Sequence, residues 1–121
     1  MPQTQEEIDA APTEVTKGMA SYNLPGKPGD TPNWHNQLAA AGADNMISFS
    51  PFDYVHMLEG IPTFVAYGSN AVTGPGAQKL YDKIDAPKEL SVVEGAGHFD
   101  LYWKSEYVDP TVDHISNFLK G

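Results

Sequence analysis

The chain has 121 residues, enough for one domain with a core of modest size, and 40% of them are hydrophobic. Sixteen carboxylates stand against seven lysines and no arginine, for a net charge of −9. That balance points away from nucleic acid and anionic membrane, because phosphate recognition favours arginine and a phosphate backbone repels an acidic surface. With no cysteine, disulfides and thiolate metal sites are excluded. No apolar run approaches the roughly 20 residues of a membrane helix. The start, Met1-Pro2-Gln3-Thr4-Gln5-Glu6-Glu7, lacks the basic and apolar regions of a signal peptide, so cytoplasm is the expected compartment.

Thr4-Gln5-Glu6-Glu7 fits a capping box, which predicts a short helix through Ile8, Ala11 and Val15 that Pro12 ends or kinks. Residues 23–33, rich in Pro, Gly, Asn and Asp, read as a loop. Trp34 to Ala41 reads as one or two helical turns ended by Gly42. From Asp44 to Leu58 the apolar residues Phe52, Val55 and Met57 follow neither the helical nor the strand period, and Pro51 suits a helix start.

Ile61 to Tyr67 is a mostly apolar run between Gly60 and Gly68, as expected of a strand buried on both faces. Thr73 can cap a helix with Pro75 in its first turn and Leu80, Tyr81 and Ile84 on its apolar stripe; Pro87 blocks its continuation. Glu89 to Glu94 is the second strand. Asp109-Pro110 starts a final helix with Val108, Val112, Ile115, Phe118 and Leu119 on one face, and Asp109 and Asp113 at its positive end. Strand, helix and strand in so short a span predict a βαβ unit with parallel strands. The expectation is a single α/β domain over 1–121, with a helical and loop segment at 1–44 and the βαβα unit at 45–121.

Between the second strand and the last helix lies Gly95-Ala96-Gly97-His98-Phe99-Asp100-Leu101-Tyr102. A histidine delivered by a glycine turn just after a strand is how an α/β enzyme presents a general base at the carboxyl edge of its sheet. Residues 45–120 resemble the C-terminal part of an α/β hydrolase in the dienelactone-hydrolase-like branch. The likeness is most specific at Pro62–Thr73, with the turn Gly68-Ser69-Asn70-Ala71, and at Lys88–Tyr102; Phe52-Asp53-Tyr54-Val55-His56 is similar to the segment before the penultimate strand. The resemblance implies that His98 occupies the catalytic histidine position, in an enzyme acting on esters or other acyl compounds.

Two features depart from that family. It places an acid just after the penultimate strand, where Ser69, Asn70, Ala71, Val72 and Thr73 offer no carboxylate to orient the histidine. The chain also has no G-x-S-x-G elbow; such a fold normally runs to about twice this length, with its nucleophile in the other half. Ser69 sits on the nearest serine turn, but that turn belongs to the acid-bearing strand. Asp100 either orients His98 or bonds to turn amides, the second being the expected role. Tyr102 and Trp103, with Tyr107, form an aromatic cluster beside His98 that either lines a substrate cleft or covers the last helix. His56 reads as a packed or capping residue, and His35 and His114 fall on solvent faces. The four histidines have no metal-ligand spacing, so neither a metal nor another cofactor is expected.

Two parallel strands do not complete a sheet, and the edge of the first would expose unpaired amides beside apolar side chains. Three repairs are consistent with the sequence: a homodimer through that edge, the N-terminal segment folded over it as a lid, or a separate chain carrying the nucleophile half. Two functional classes stay open, a hydrolase subunit inactive alone with His98 as base, and a non-enzymatic binding or interaction module on the same scaffold.

Overall fold

The protein is described by a computed structural model covering residues 4–31, 33, 42 and 47–121. The expected turns from Trp34 to Ala41, with His35, lie outside the described residues. Thr4 accepts the Glu7 amide at 3.2 Å and opens α1 (Gln5–Asp9), which ends before Pro12. A second helix, α2 (Glu14–Asn23), follows, capped by Thr13, whose hydroxyl accepts the Thr16 amide at 3.1 Å. The sequence signal for α2 is weak, because Gly18 and the β-branched Thr16 lie inside it. Gly18 is there for packing: a Cβ at this position would stand 2.4 Å from the Phe99 ring. Ile8, Ala20 and Leu24 bury the contact between the two helices. Tyr22 carries the pair onto the rest of the molecule, with its ring centroid 6.1 Å from Phe99 and 5.5 Å from Tyr102.

The ambiguous segment before the first strand forms two 3-10 turns, Pro51–Asp53 and Val55–Leu58. Then come β1 (Thr63–Gly68), α3 (Gly74–Lys83) and β2 (Lys88–Val93). The strands are parallel, with Thr63 opposite Lys88 and Gly68 opposite Val93, so the βαβ reading holds. Ile84, at the end of α3, is buried, and the Lys88 ammonium donates to the Tyr81 and Ile84 carbonyls at 2.8 Å each. A cation thus satisfies the negative end of α3 where β2 begins.

The last helix, α4, spans Ser105–Lys120, four residues longer at its start than the sequence suggested, with Pro110 inside it. Proline removes one backbone donor, and its would-be acceptor four residues back, Glu106, lies in the exposed first turn, where an unpaired carbonyl is accessible to solvent. Asp109 and Asp113 are therefore inside the helix, and Glu106 is the acid of its first turn. His114 does not point freely into solvent. Its ring meets Phe64 edge-on at 4.9 Å and bonds the Glu89 carboxylate, which ties α4 to both strands. His56 is exposed rather than packed.

Phe64 reaches α4 through His114 and Phe118, whereas Tyr67 donates to Gln78 of α3 at 2.8 Å. Residues three apart on a strand face opposite ways, so the two helices cover opposite faces of the sheet. The covering is incomplete. Among the described residues the buried hydrophobics are Ile8, Ala11, Ala20, Leu24, Ala71, Ile84 and Ala96, four of them alanines, and no large side chain is fully buried.

A close backbone approach lies where the strands end. A Cβ on Gly68 would stand 2.2 Å from the carbonyl oxygen of Ala96, which is backbone and cannot swing aside. Gly68→Ala should therefore destabilise the fold by roughly 2–3 kcal/mol, seen as a fall in thermal midpoint of roughly 5–10 °C. An unchanged midpoint would show that the two turns do not meet as closely as described.

Candidate functional site

The two strands deliver their carboxyl ends side by side, and side chains lock the turns that follow. Ser69 accepts the Gly95 amide at 2.8 Å, and Asn70 donates its side-chain amide to the Gly95 carbonyl at 3.1 Å. The Asn70 backbone amide adds a bond to the Ala96 carbonyl at 3.0 Å. Gly95 turns with φ 77°, a conformation that suits glycine, and Gly97 then leads into His98. The Ser69 hydroxyl is thus a structural fastener, with no bond to the histidine.

His98 is half-buried and bonded at both ring nitrogens. Nδ1 is 2.9 Å from the Thr73 hydroxyl, and Nε2 is 2.9 Å from the Tyr102 hydroxyl. Thr73 stands at the N-terminal cap of α3, yet its side chain makes no capping bond, because it is committed to the imidazole. A threonine hydroxyl orients the ring but can either donate or accept, so it does not select a tautomer as a carboxylate does. Thr73 lies in the turn after β1, among residues without a carboxylate. The sequence showed that no carboxylate was there; it did not show that a hydroxyl would take up the contact.

Asp100 belongs to a different network. Its carboxylate accepts the Gly97 amide at 2.8 Å and pairs with the Lys104 ammonium at 2.9 Å. It bonds to turn amides, the expected role, and no bond runs from it to His98. Burial raises the tendency of Asp100 to hold a proton. The Gly97 amide and the Lys104 charge together outweigh that effect and keep the carboxyl below its ordinary range. The Lys104 ammonium is held above its ordinary range by the hydrogen bond it donates to the Asp100 carboxylate, against a smaller opposing effect of burial.

The aromatic residues singled out beside His98 separate in space. Tyr102 and His98 both line an apolar cleft of about 660 Å³ that runs from the histidine down between α3 and α4. Trp103 instead lines a second, more polar cleft of about 480 Å³ between α2 and the histidine turn, which His98 also borders. Among the described residues no three His, Asp or Glu side chains gather as metal ligands would, and no helix is long and apolar enough to cross a membrane.

No family model matches this chain, and no curated protein does. Among solved structures, the chain is similar to DcsB, seen in complex with its substrate analogue, with a TM-score of 0.64 at 19% identity. The match covers 74% of this chain and 31% of DcsB, so the chain spans about a third of that protein's length. At this identity the likeness is one of fold: a small α/β unit with two parallel strands and helices.

Because Asp100 is more acidic in the folded state than in the unfolded chain, its stabilising effect is complete above the unfolded carboxylate value of about 4. That stabilisation is lost as pH falls through the lower, folded value. Asp100→Asn should cost about 1 kcal/mol at neutral pH. Relative to the parent protein, the variant should lose less stability on acidification below about pH 4. Urea titrations of both proteins across that range check it; parallel curves would show that the Lys104 and Gly97 contacts do not hold in solution.

Proposed function

We propose that this chain is the base-bearing part of an α/β-hydrolase-like acyl hydrolase, of the dienelactone-hydrolase-like type, with His98 as general base. The observation that carries the reading is the placement of His98 at the carboxyl end of β2, anchored through Nδ1 by a residue from the turn after β1. A base held at one nitrogen leaves the other to take a proton from a nucleophile. Tyr102 fills that second position and lines the cleft with His98, so it is the residue an entering acyl substrate or nucleophile displaces. The fold likeness to DcsB, whose solved complex holds a substrate analogue, supports a ligand-bearing scaffold of this architecture.

The described residues supply the base without the other parts of a serine hydrolase. Ser69 is engaged by Gly95, no serine bonds to His98, and no carboxylate reaches Nδ1. Acyl transfer needs an activated nucleophile and donors aimed at the developing oxyanion. In this reading those parts come from polypeptide beyond the described residues, and the chain alone does not carry the full reaction. The occupied ring nitrogens and the neutral Thr73 favour one second reading, a binding module that keeps the scaffold and its cleft without catalysis.

Two measurements separate these readings. A serine-reactive phosphonate should leave the chain unlabelled, while p-nitrophenyl acetate should be hydrolysed slowly, with turnover lost in His98→Ala and kept in Ser69→Ala. Stoichiometric labelling of Ser69 would make it the nucleophile and overturn the assignment. Thr73→Asp should then raise the His98-dependent turnover about tenfold by placing a carboxylate at Nδ1. If Thr73→Asp leaves turnover unchanged and His98→Ala loses nothing, His98 is no base and the binding-module reading stands.

A further inference from the structure

The apolar cleft is lined by Ala66, Tyr67 and Gly68 of β1. Thr63 donates to the Pro87 carbonyl and Ser69 to the Val93 carbonyl, both at 2.9 Å, at the two ends of the β1–β2 ladder. In a parallel ladder, successive residues of one strand bond alternately to the two sides. Thr63, Val65, Tyr67 and Ser69 therefore face β2, and the amides and carbonyls of Phe64 and Ala66 face the other way. No strand of the described residues pairs there, because the sheet consists of β1 and β2. The cleft lies along this edge, with Ala66, Tyr67 and Gly68 beneath and the two helices as walls.

The walls define what fits. Ala77 and Leu80 of α3 line one side, and Val108, Val112 and Ile115 of α4 line the other. A segment laid along β1 would send alternate side chains to α3 and to α4, and both walls are apolar. Val112 is 51% exposed, and Pro51 and Phe52 of the first 3-10 turn also line the cleft. A small molecule or an acyl tail could fill the volume but would leave the Phe64 and Ala66 groups without hydrogen bonds, a cost that a strand avoids.

We propose that the cleft is a strand-insertion slot: it receives an uninterrupted apolar β-strand of polypeptide from outside this chain, which pairs with the open edge of β1 between α3 and α4. A second copy is a poorer occupant. Its own β1 edge lies between the same two helices, so the walls of two copies would meet before their strands did. Polypeptide beyond the matched part is the rule in DcsB, where the portion similar to this chain is 31% of the whole. The proposal is independent of whether His98 is catalytic.

The test uses the intact chain and a synthetic peptide with an apolar centre of about six residues, the length of β1, flanked by lysines for solubility. Two control peptides carry N-methyl groups on alternate central residues, one on the odd set and one on the even. Binding followed by fluorescence anisotropy should persist with one control and fall about tenfold or more with the other, since only one set of amides faces β1. Hydrogen exchange should slow at the Phe64 and Ala66 amides when the parent peptide binds. Val112→Glu, with unchanged circular dichroism, should weaken binding about tenfold or more by placing a charge against the inserted strand. Equal binding of both N-methylated peptides, binding without protection of Phe64 and Ala66, or no binding at all would overturn the slot. So would sedimentation showing a dimer in which those two amides are already protected.

Discussion

The register of β1 against β2 is the constraint from which the rest of the site follows. Thr63 lies opposite Lys88, and the same offset of 25 residues continues past the ends of the strands. Asn70 meets Gly95 and Thr73 meets His98, each pair 25 residues apart in sequence. The turns after the strands are thus in step with the ladder, and the close approach of Gly68 to Ala96 keeps them so. A slip of one residue would turn the side chains of the slipped strand to the opposite face and part the histidine from its threonine. The histidine is positioned by strand pairing more than by its own loop.

That pairing also accounts for what is incomplete. A parallel sheet is stable when helices cover both faces and when its strands have neighbours. Here the helices are in place on opposite faces, held by the Phe64 contacts with α4 and the Tyr67 bond to Gln78 of α3. Neither outer edge of the strand pair has a partner strand among the described residues. The apolar cleft and the shortage of large buried side chains are two signs of one fact: the helix walls extend past the sheet they cover.

The chemistry at the carboxyl edge shows the same division between a built part and an open one. Asp100 and Lys104 form a charged clasp that fixes the turn after His98, and Ser69 and Asn70 fix the turn before it. These bonds hold the imidazole in position whatever its role. The groups on the ring itself, Thr73 and Tyr102, are neutral hydroxyls that can exchange donor and acceptor roles. A site so arranged has a firm frame and an uncommitted proton.

Much of this was legible in the order of residues, because its causes are local. The two strands, the helix between them and the histidine turn are each announced by apolar runs, by Pro75 and Pro87, and by the glycines at 95 and 97, all acting within a few residues. The absence of an elbow serine and of an acid after β1 is likewise a matter of reading neighbours. What escaped depends on contacts between distant parts. Helix α2 holds its glycine against Phe99, about eighty residues away; local propensity gives no reason for that glycine. The sequence places His114 on a solvent face, whereas Glu89 and Phe64 meet it across the sheet. Trp103 sits beside Tyr102 in sequence, yet the 3-10 turn that ends there sends the two side chains to different clefts. Local spacing decides which elements form, whereas the partner of a side chain is decided by which elements pack together, and only the folded chain brings those within bonding distance.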